Sequence, residues 1–206
     1  MLPFGPLRNS GLFSNHWLAH RLTREPEWEE QSDNASEVLQ GLLELWKVQG
    51  QRVEKYEDEH ELEEALIQPV LRLLGWKLKY QTFLQGREPD YALFLDDVAL
   101  DRALGAGRTA SEFWSFPAAL ADAKAWDVSL DRRGGGGRRK EYPPEQIEWY
   151  LDRSRLNYAI LTNGQLWRLI LYGMAGLSEA ESKGLEERLA KMLWEPVRQI
   201  AVTIRF

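Results

Sequence analysis

Glu88-Pro89-Asp90-Tyr91-Ala92-Leu93-Phe94 and Ala121-Asp122-Ala123-Lys124-Ala125-Trp126 are the stretches whose reading decides the fold. Each reads as a short apolar strand interrupted by a carboxylate, and the second adds a lysine two residues on. Successive strand side chains alternate faces, so Asp122 and Lys124 point one way and Ala121, Ala123 and Ala125 the other. An aspartate and a lysine among small apolar neighbours are costly to bury unless they act on something charged. A metal ion supplies the reason. Asp90 and Asp122 would hold a hard divalent cation through oxygen ligands, and Lys124 would stand beside the attacking water or a phosphate. The alternative is an α/β domain whose polar strand residues pair only with each other.

Working outward, residues 76–84 alternate Trp76, Leu78, Tyr80 against Lys77, Lys79, Gln81, the pattern of a half-buried strand. Gln85-Gly86-Arg87 turns that strand back into Asp90–Leu95 as a hairpin. Residues 96–111 are polar and glycine-containing, a loop or a short helix. Upstream, Leu62, Leu66, Ile67, Val70, Leu71 and Leu74 make a helix ended by Gly75, with Pro69 expected to kink or loosen it. It is entered through an acidic run, residues 57–64, most of which must be a solvated face. A second amphipathic helix runs from Ala35 to about Gly50 and carries Val38, Leu39, Leu42, Leu43, Leu45 and Trp46. Before it, Leu12, Phe13, Trp17, Leu18 and Leu22 suggest a helix capped by Ser14 and stopped at Glu25-Pro26.

Downstream lies Leu130-Asp131-Arg132-Arg133-Gly134-Gly135-Gly136-Gly137-Arg138-Arg139-Lys140. Four glycines cannot form a packed element. The flanking Arg132, Arg133, Arg138, Arg139 and Lys140 read as a clamp that neutralises backbone phosphates, or as a solvated loop. Pro143-Pro144 starts a helix in which Gln146 and Tyr150, four apart, share a face. Residues 158–161 and 166–171 are strands joined by Thr162-Asn163-Gly164-Gln165, a strong hairpin signal. A charged helix over 178–192 and a last strand over 197–206 close the chain.

With 206 residues, 44% of them hydrophobic, and nine tryptophans, the chain is long and apolar enough to fold around a core. It has no cysteine, which excludes disulfides, zinc–thiolate sites and thiol catalysis. His16 and His20 are one helical turn apart, but no glutamate follows His16 as a metalloprotease helix needs, so they read as solvated. No apolar run reaches transmembrane length and the first residues lack a signal-peptide pattern, so the expectation is a cytoplasmic protein without a membrane partner. The net charge of −6 does not suggest nucleic acid by itself, but the positive charge is local.

The pair Pro89-Asp90 and Asp122-Ala123-Lys124 resembles the PD-(D/E)xK nuclease signature. The wider pattern is similar to the N-terminal nuclease region of single-chain type IIG restriction–modification enzymes and their phage-defence relatives. The matching pieces run over about residues 12 to 170: Leu12-Phe13-Ser14 with Trp17-Leu18, Pro26-Glu27-Trp28, the helix from Glu63 to Gly75, the two signature strands, the glycine–arginine loop, Gln146-Ile147 with Tyr150-Leu151, and Leu161-Thr162-Asn163-Gly164 with Leu166-Trp167. The resemblance implies an α/β (α+β) restriction-endonuclease-like core, a central mixed sheet flanked by helices, over residues 53–175. A helical extension would precede it over 1–52, and a helix with a terminal segment would follow over 176–206.

The resemblance further implies that Asp90, Asp122 and the carbonyl of Ala123 hold Mg²⁺ or Mn²⁺ and that Lys124 is the catalytic lysine. Gln146 and Tyr150 match a Gln-x-x-x-Tyr helix beside the active site. A helix glutamate completes the site: Glu59, Glu63 or Glu64, with Glu63 and Glu64 beginning the matching helix. The activity implied is Mg²⁺-dependent hydrolysis of double-stranded DNA, with Arg132, Arg133, Arg138, Arg139 and Lys140 as DNA contacts. Asp122 stands where the family more often has glutamate. No Asn-Pro-Pro-Tyr motif or S-adenosylmethionine loop is visible, so the expectation is a truncated or separately encoded nuclease domain with a methyltransferase or specificity partner. The alternative implied is a catalytically silent DNA-binding or assembly module acting beside such a partner.

Overall fold

Lys77–Tyr80 (β1) pairs antiparallel with Tyr91–Phe94 (β2), and β2 pairs antiparallel with Ala119–Ala123 (β3). Tyr158–Thr162 (β4) lies parallel to β3, and Trp167–Leu171 (β5) returns antiparallel to β4. The result is one five-stranded mixed sheet in the order β1-β2-β3-β4-β5. The computed structural model describes residues 20–21, 24–56, 58–107, 110–131 and 142–171. The expected N-terminal helix, the basic loop with Arg132, Arg133, Arg138, Arg139 and Lys140, and the C-terminal helix and strand lie outside the described residues.

Strands β2, β3 and β4 are buried throughout, and their alternation sorts the core into two layers. Tyr91, Leu93, Ala119, Ala121, Ala123, Tyr158 and Ile160 face one layer, with Val38, Leu42, Leu66, Ile67 and Leu71. Ala92, Phe94, Leu120, Ala159 and Leu161 face the other, with Phe113, Ile147, Tyr150 and Leu151. The strands are therefore covered on both sides, as their uninterrupted apolar character requires.

The first layer is helical. Pro26–Glu30 (α1) leads through Gln31 into Ser32–Gln49 (α2). Pro26 opens α1, because proline lacks only an N–H that the first turn leaves unpaired. A continuous helix then runs through Glu59–Leu62 (α3), a π-helical turn over Glu63–Ile67 and Gln68–Leu73 (α4). The N–H of Gln68 donates to the carbonyl of Glu63, a five-residue step just before Pro69, which has no N–H to continue the ordinary ladder. Pro69 thus loosens the helix by widening the turn before it.

The second layer holds Asp97–Ala106 (α5), a 3₁₀ turn over Ser111–Ser115 and Pro143–Ser154 (α6). The polar stretch 96–111 fits either a loop or a short helix; α5 forms because the Asp96 carboxylate accepts from the Ala99 N–H at 2.7 Å and caps it. Among the described residues no helix is long and apolar enough to cross a membrane.

Candidate active site

The carboxylates converge where β2 begins and β3 ends. Tyr91 stands opposite Ala121, so the register carried one residue further sets Asp90 opposite Asp122. Asp90 Oδ2 accepts the Ala123 N–H at 2.7 Å. Asp122 is almost completely buried. Lys124 Nζ donates to Asp122 Oδ2 and, at 2.7 Å, to the carbonyl of Ala123. The Lys124 N–H donates to the Thr162 carbonyl at 2.8 Å, so the lysine is anchored to β4 as well.

The helical layer supplies two more carboxylates. Glu59 and Glu63, four apart, share a helix face. Glu59 Oε2 accepts the Ala125 N–H at 3.1 Å, just past Lys124. Glu63 is buried and accepts a hydrogen bond from Tyr91 Oη. Glu64 follows Glu63 by one residue, about 100° around the helix, and its exposed carboxylate lies 3.4 Å from His60 Nε2. Of the three candidate helix glutamates, helical rotation brings Glu59 and Glu63 to the site and sends Glu64 to the surface.

From α6, Gln146 Nε2 donates to Tyr150 Oη at 2.8 Å, and Tyr150 Oη contacts the Glu88 carbonyl at 3.4 Å, beside Pro89-Asp90. Burial, then the negative charge of Asp122, pushes the Tyr150 phenol up to about 12, so it stays a neutral donor. The fold thus gathers Asp90, Asp122, Lys124, Gln146, Tyr150, Glu59 and Glu63 around one end of the β2–β3 pair. The five basic loop residues lie outside the described residues.

Asp122, Asp90 and Glu59 act on one ammonium, and the electrostatics follow. Burial and then the facing Asp122 push Asp90 up to about 9, against the lowering effect of Lys124. Burial also raises Glu59, beyond what Lys124 lowers, and raises Glu63 despite the Tyr91 hydrogen bond. For Lys124 burial alone would favour the neutral amine, but Asp122, Asp90 and Glu59 outweigh it, and its pKa is raised. The lysine is therefore held as an ammonium.

The site carries more carboxyl groups than its one cation can keep ionised, and every candidate ligand is oxygen. That donor set fits a hard divalent cation. The carboxylate oxygens that lie within 4.8 Å of one another belong to Glu59, Glu63 and Asp90. The expected ligand set was Asp90, Asp122 and the Ala123 carbonyl. Asp90 is common to both; the other two expected oxygens are hydrogen-bonded by Lys124 Nζ. In the sequence Tyr91 is one of a run of apolar strand residues. Its place on the face opposite Asp90 was the available sign that it would meet the helix glutamates. No family model matches the chain, and searches of curated proteins and of solved structures find no match.

Proposed function

We propose that this chain is a metal-dependent DNA endonuclease, with a restriction-endonuclease-like core and a PD-(D/E)xK-type site at Asp90, Asp122 and Lys124. The observation that carries the reading is the pairing of Asp90 opposite Asp122, with Lys124 bonded to the second carboxylate and Glu59 and Glu63 arriving from the helix. The sheet order and the helix between the parallel strands β3 and β4 support the same core.

Asp90 and Asp122, with the Ala123 carbonyl, would hold Mg²⁺ or Mn²⁺, and Glu59 and Glu63 add carboxylates on the helix side. The bound ion would polarise the phosphate and acidify a water. Asp90, Glu59 and Glu63 would offer oxygens that can accept hydrogen bonds from such a water. Lys124, already an ammonium, offsets the charge that grows on the phosphate in the transition state; this role suits it better than that of a base. Gln146, held by Tyr150, would help position the nucleophile or the phosphate. The residues of the basic loop would give affinity along the DNA backbone without reading sequence. In this reading the chain is the nuclease arm of a restriction system and works with a methyltransferase or specificity partner.

The test is nicking of supercoiled plasmid with Mg²⁺ or Mn²⁺. The wild type is expected to open the plasmid, EDTA to stop it, and Asp122→Asn to remove the activity while leaving a cooperative melting transition. Metal-independent nicking, or wild-type rates in Asp122→Asn, would overturn the assignment.

A further inference from the structure

The turn between β4 and β5 does more than reverse the chain. Asn163 is buried there and its carboxamide is fully used. Oδ1 accepts the N–H groups of Gln165 and Leu166 at 3.1 and 2.8 Å, and these bonds shape the turn itself. Nδ2 reaches away from the turn, to the carbonyls of Val128 at 2.9 Å and Trp126 at 3.4 Å. The orientation of the amide is forced: the reverse would set an oxygen against two carbonyls and an NH₂ against two N–H groups.

Its neighbours grip the same stretch. Gln165 Nε2 donates to the Trp126 carbonyl at 2.9 Å, and the Thr162 carbonyl accepts the Lys124 N–H at 2.8 Å. Gly164, at a φ of 81°, lies against the Trp126 ring, where a Cβ would come within 3.1 Å. Residues 162–165 therefore hold residues 124–128 through backbone groups, immediately after β3 ends at Ala123. That held stretch carries the lysine that meets Asp122 and the N–H that meets Glu59.

We infer that Asn163 is a positioning residue, which fixes the exit of β3 through Val128 and Trp126 and thereby sets where Lys124 stands between Asp122 and the Ala123 carbonyl. The kinetic part of its test rests on the nuclease reading; the placement of Lys124 does not. A lysine displaced by about 1 Å from its working position loses on the order of a hundredfold in rate.

Asn163→Asp separates the two jobs of the side chain. It keeps an acceptor for Gln165 and Leu166, so the turn survives, but sets a carboxylate oxygen against the carbonyls it formerly bonded. Lys124 is expected to acetylate about threefold to tenfold faster with acetic anhydride, the protection of roughly one hydrogen bond, while Lys77 and Lys79 keep their rates by mass spectrometry. Gln165→Ala, which spares the turn's own bonds, should move Lys124 in the same direction by less, and it carries the test if Asn163→Asp fails to fold. A residue that merely stabilised the turn would lower the melting temperature and leave Lys124 reactivity alone; equal Lys124 labelling in wild type and in the folded variants overturns the inference. With plasmid and Mg²⁺, Asn163→Asp should lower kcat about tenfold to a hundredfold with KM within about twofold. A rise in KM with kcat intact also overturns it. Faster Lys124 labelling in a protein whose wild type cuts nothing would sink the nuclease reading and leave the positioning role standing.

Discussion

Asp90 is half-buried opposite Asp122, with Lys124 as the nearby offsetting charge, and this makes stability depend on pH. Its carboxyl titrates near 3.8 when unfolded and at about 9 in the folded site. The folded state therefore binds the extra proton between those values. Its contribution to stability is fully present below about pH 4 and is lost as pH rises toward 9. Glu59 and Glu63, raised by burial, act in the same direction. A divalent cation competes with these protons, so Mn²⁺ should stabilise the wild type weakly at pH 5 and strongly at pH 8, by about 2.7 kcal/mol at a hundredfold excess over Kd. Asp90→Asn should melt higher than the wild type at pH 8 without metal and lose most of the Mn²⁺ shift. Thermal melts at the two pH values check this; a Mn²⁺ shift as large in Asp90→Asn as in the wild type would contradict it. Asp90 and Asp122 were legible in the sequence because each carboxylate adjoins an apolar strand run. The choice among Glu59, Glu63 and Glu64 was not, since it depends on the rotation of a helix that widens before Pro69.

At the scale of elements, the β4–β5 turn is the most sharply specified. Gly164 has a φ of 81°, and a Cβ there would lie 3.1 Å from the Trp126 ring and 3.3 Å from Leu62 Cδ1. Gly164→Ala is expected to cost about 1–3 kcal/mol in chemical denaturation, from backbone strain and crowding together. A loss below about 0.5 kcal/mol, the range of ordinary surface changes, would show that the turn is not held this way. Asn163-Gly164 announced the hairpin because its chemistry is local. The grip of Asn163 and Gln165 on Trp126 and Val128 was hidden, because it joins segments more than thirty residues apart. The amphipathic helix α2 was visible from its apolar stripe, yet it starts at Ser32, ahead of the expected Ala35. Helix α5 depends on one capping carboxylate in a polar stretch, and polarity alone did not separate helix from loop there.

For the whole molecule, the layering puts the candidate site at a seam. The Asp122 face of β3 looks toward α6, whereas Glu59 and Glu63 come from the opposite layer, and the two sets meet only where the β2–β3 pair runs out. Both hairpins, β1–β2 and β4–β5, followed from their turns. The parallel pairing of β3 with β4 did not, because it depends on how α6 packs over the sheet, through Ile147 and Leu151, and no local signal encodes that. That pairing nevertheless decides the site, since it anchors Lys124 to Thr162. The most direct test of the account is therefore single-turnover nicking of supercoiled plasmid at saturating Mg²⁺, wild type beside Lys124→Ala. Metal-dependent nicking by the wild type, reduced at least about a hundredfold in a folded Lys124→Ala that still binds Mn²⁺, is the result the account predicts. Cleavage by Lys124→Ala at the wild-type rate would contradict it.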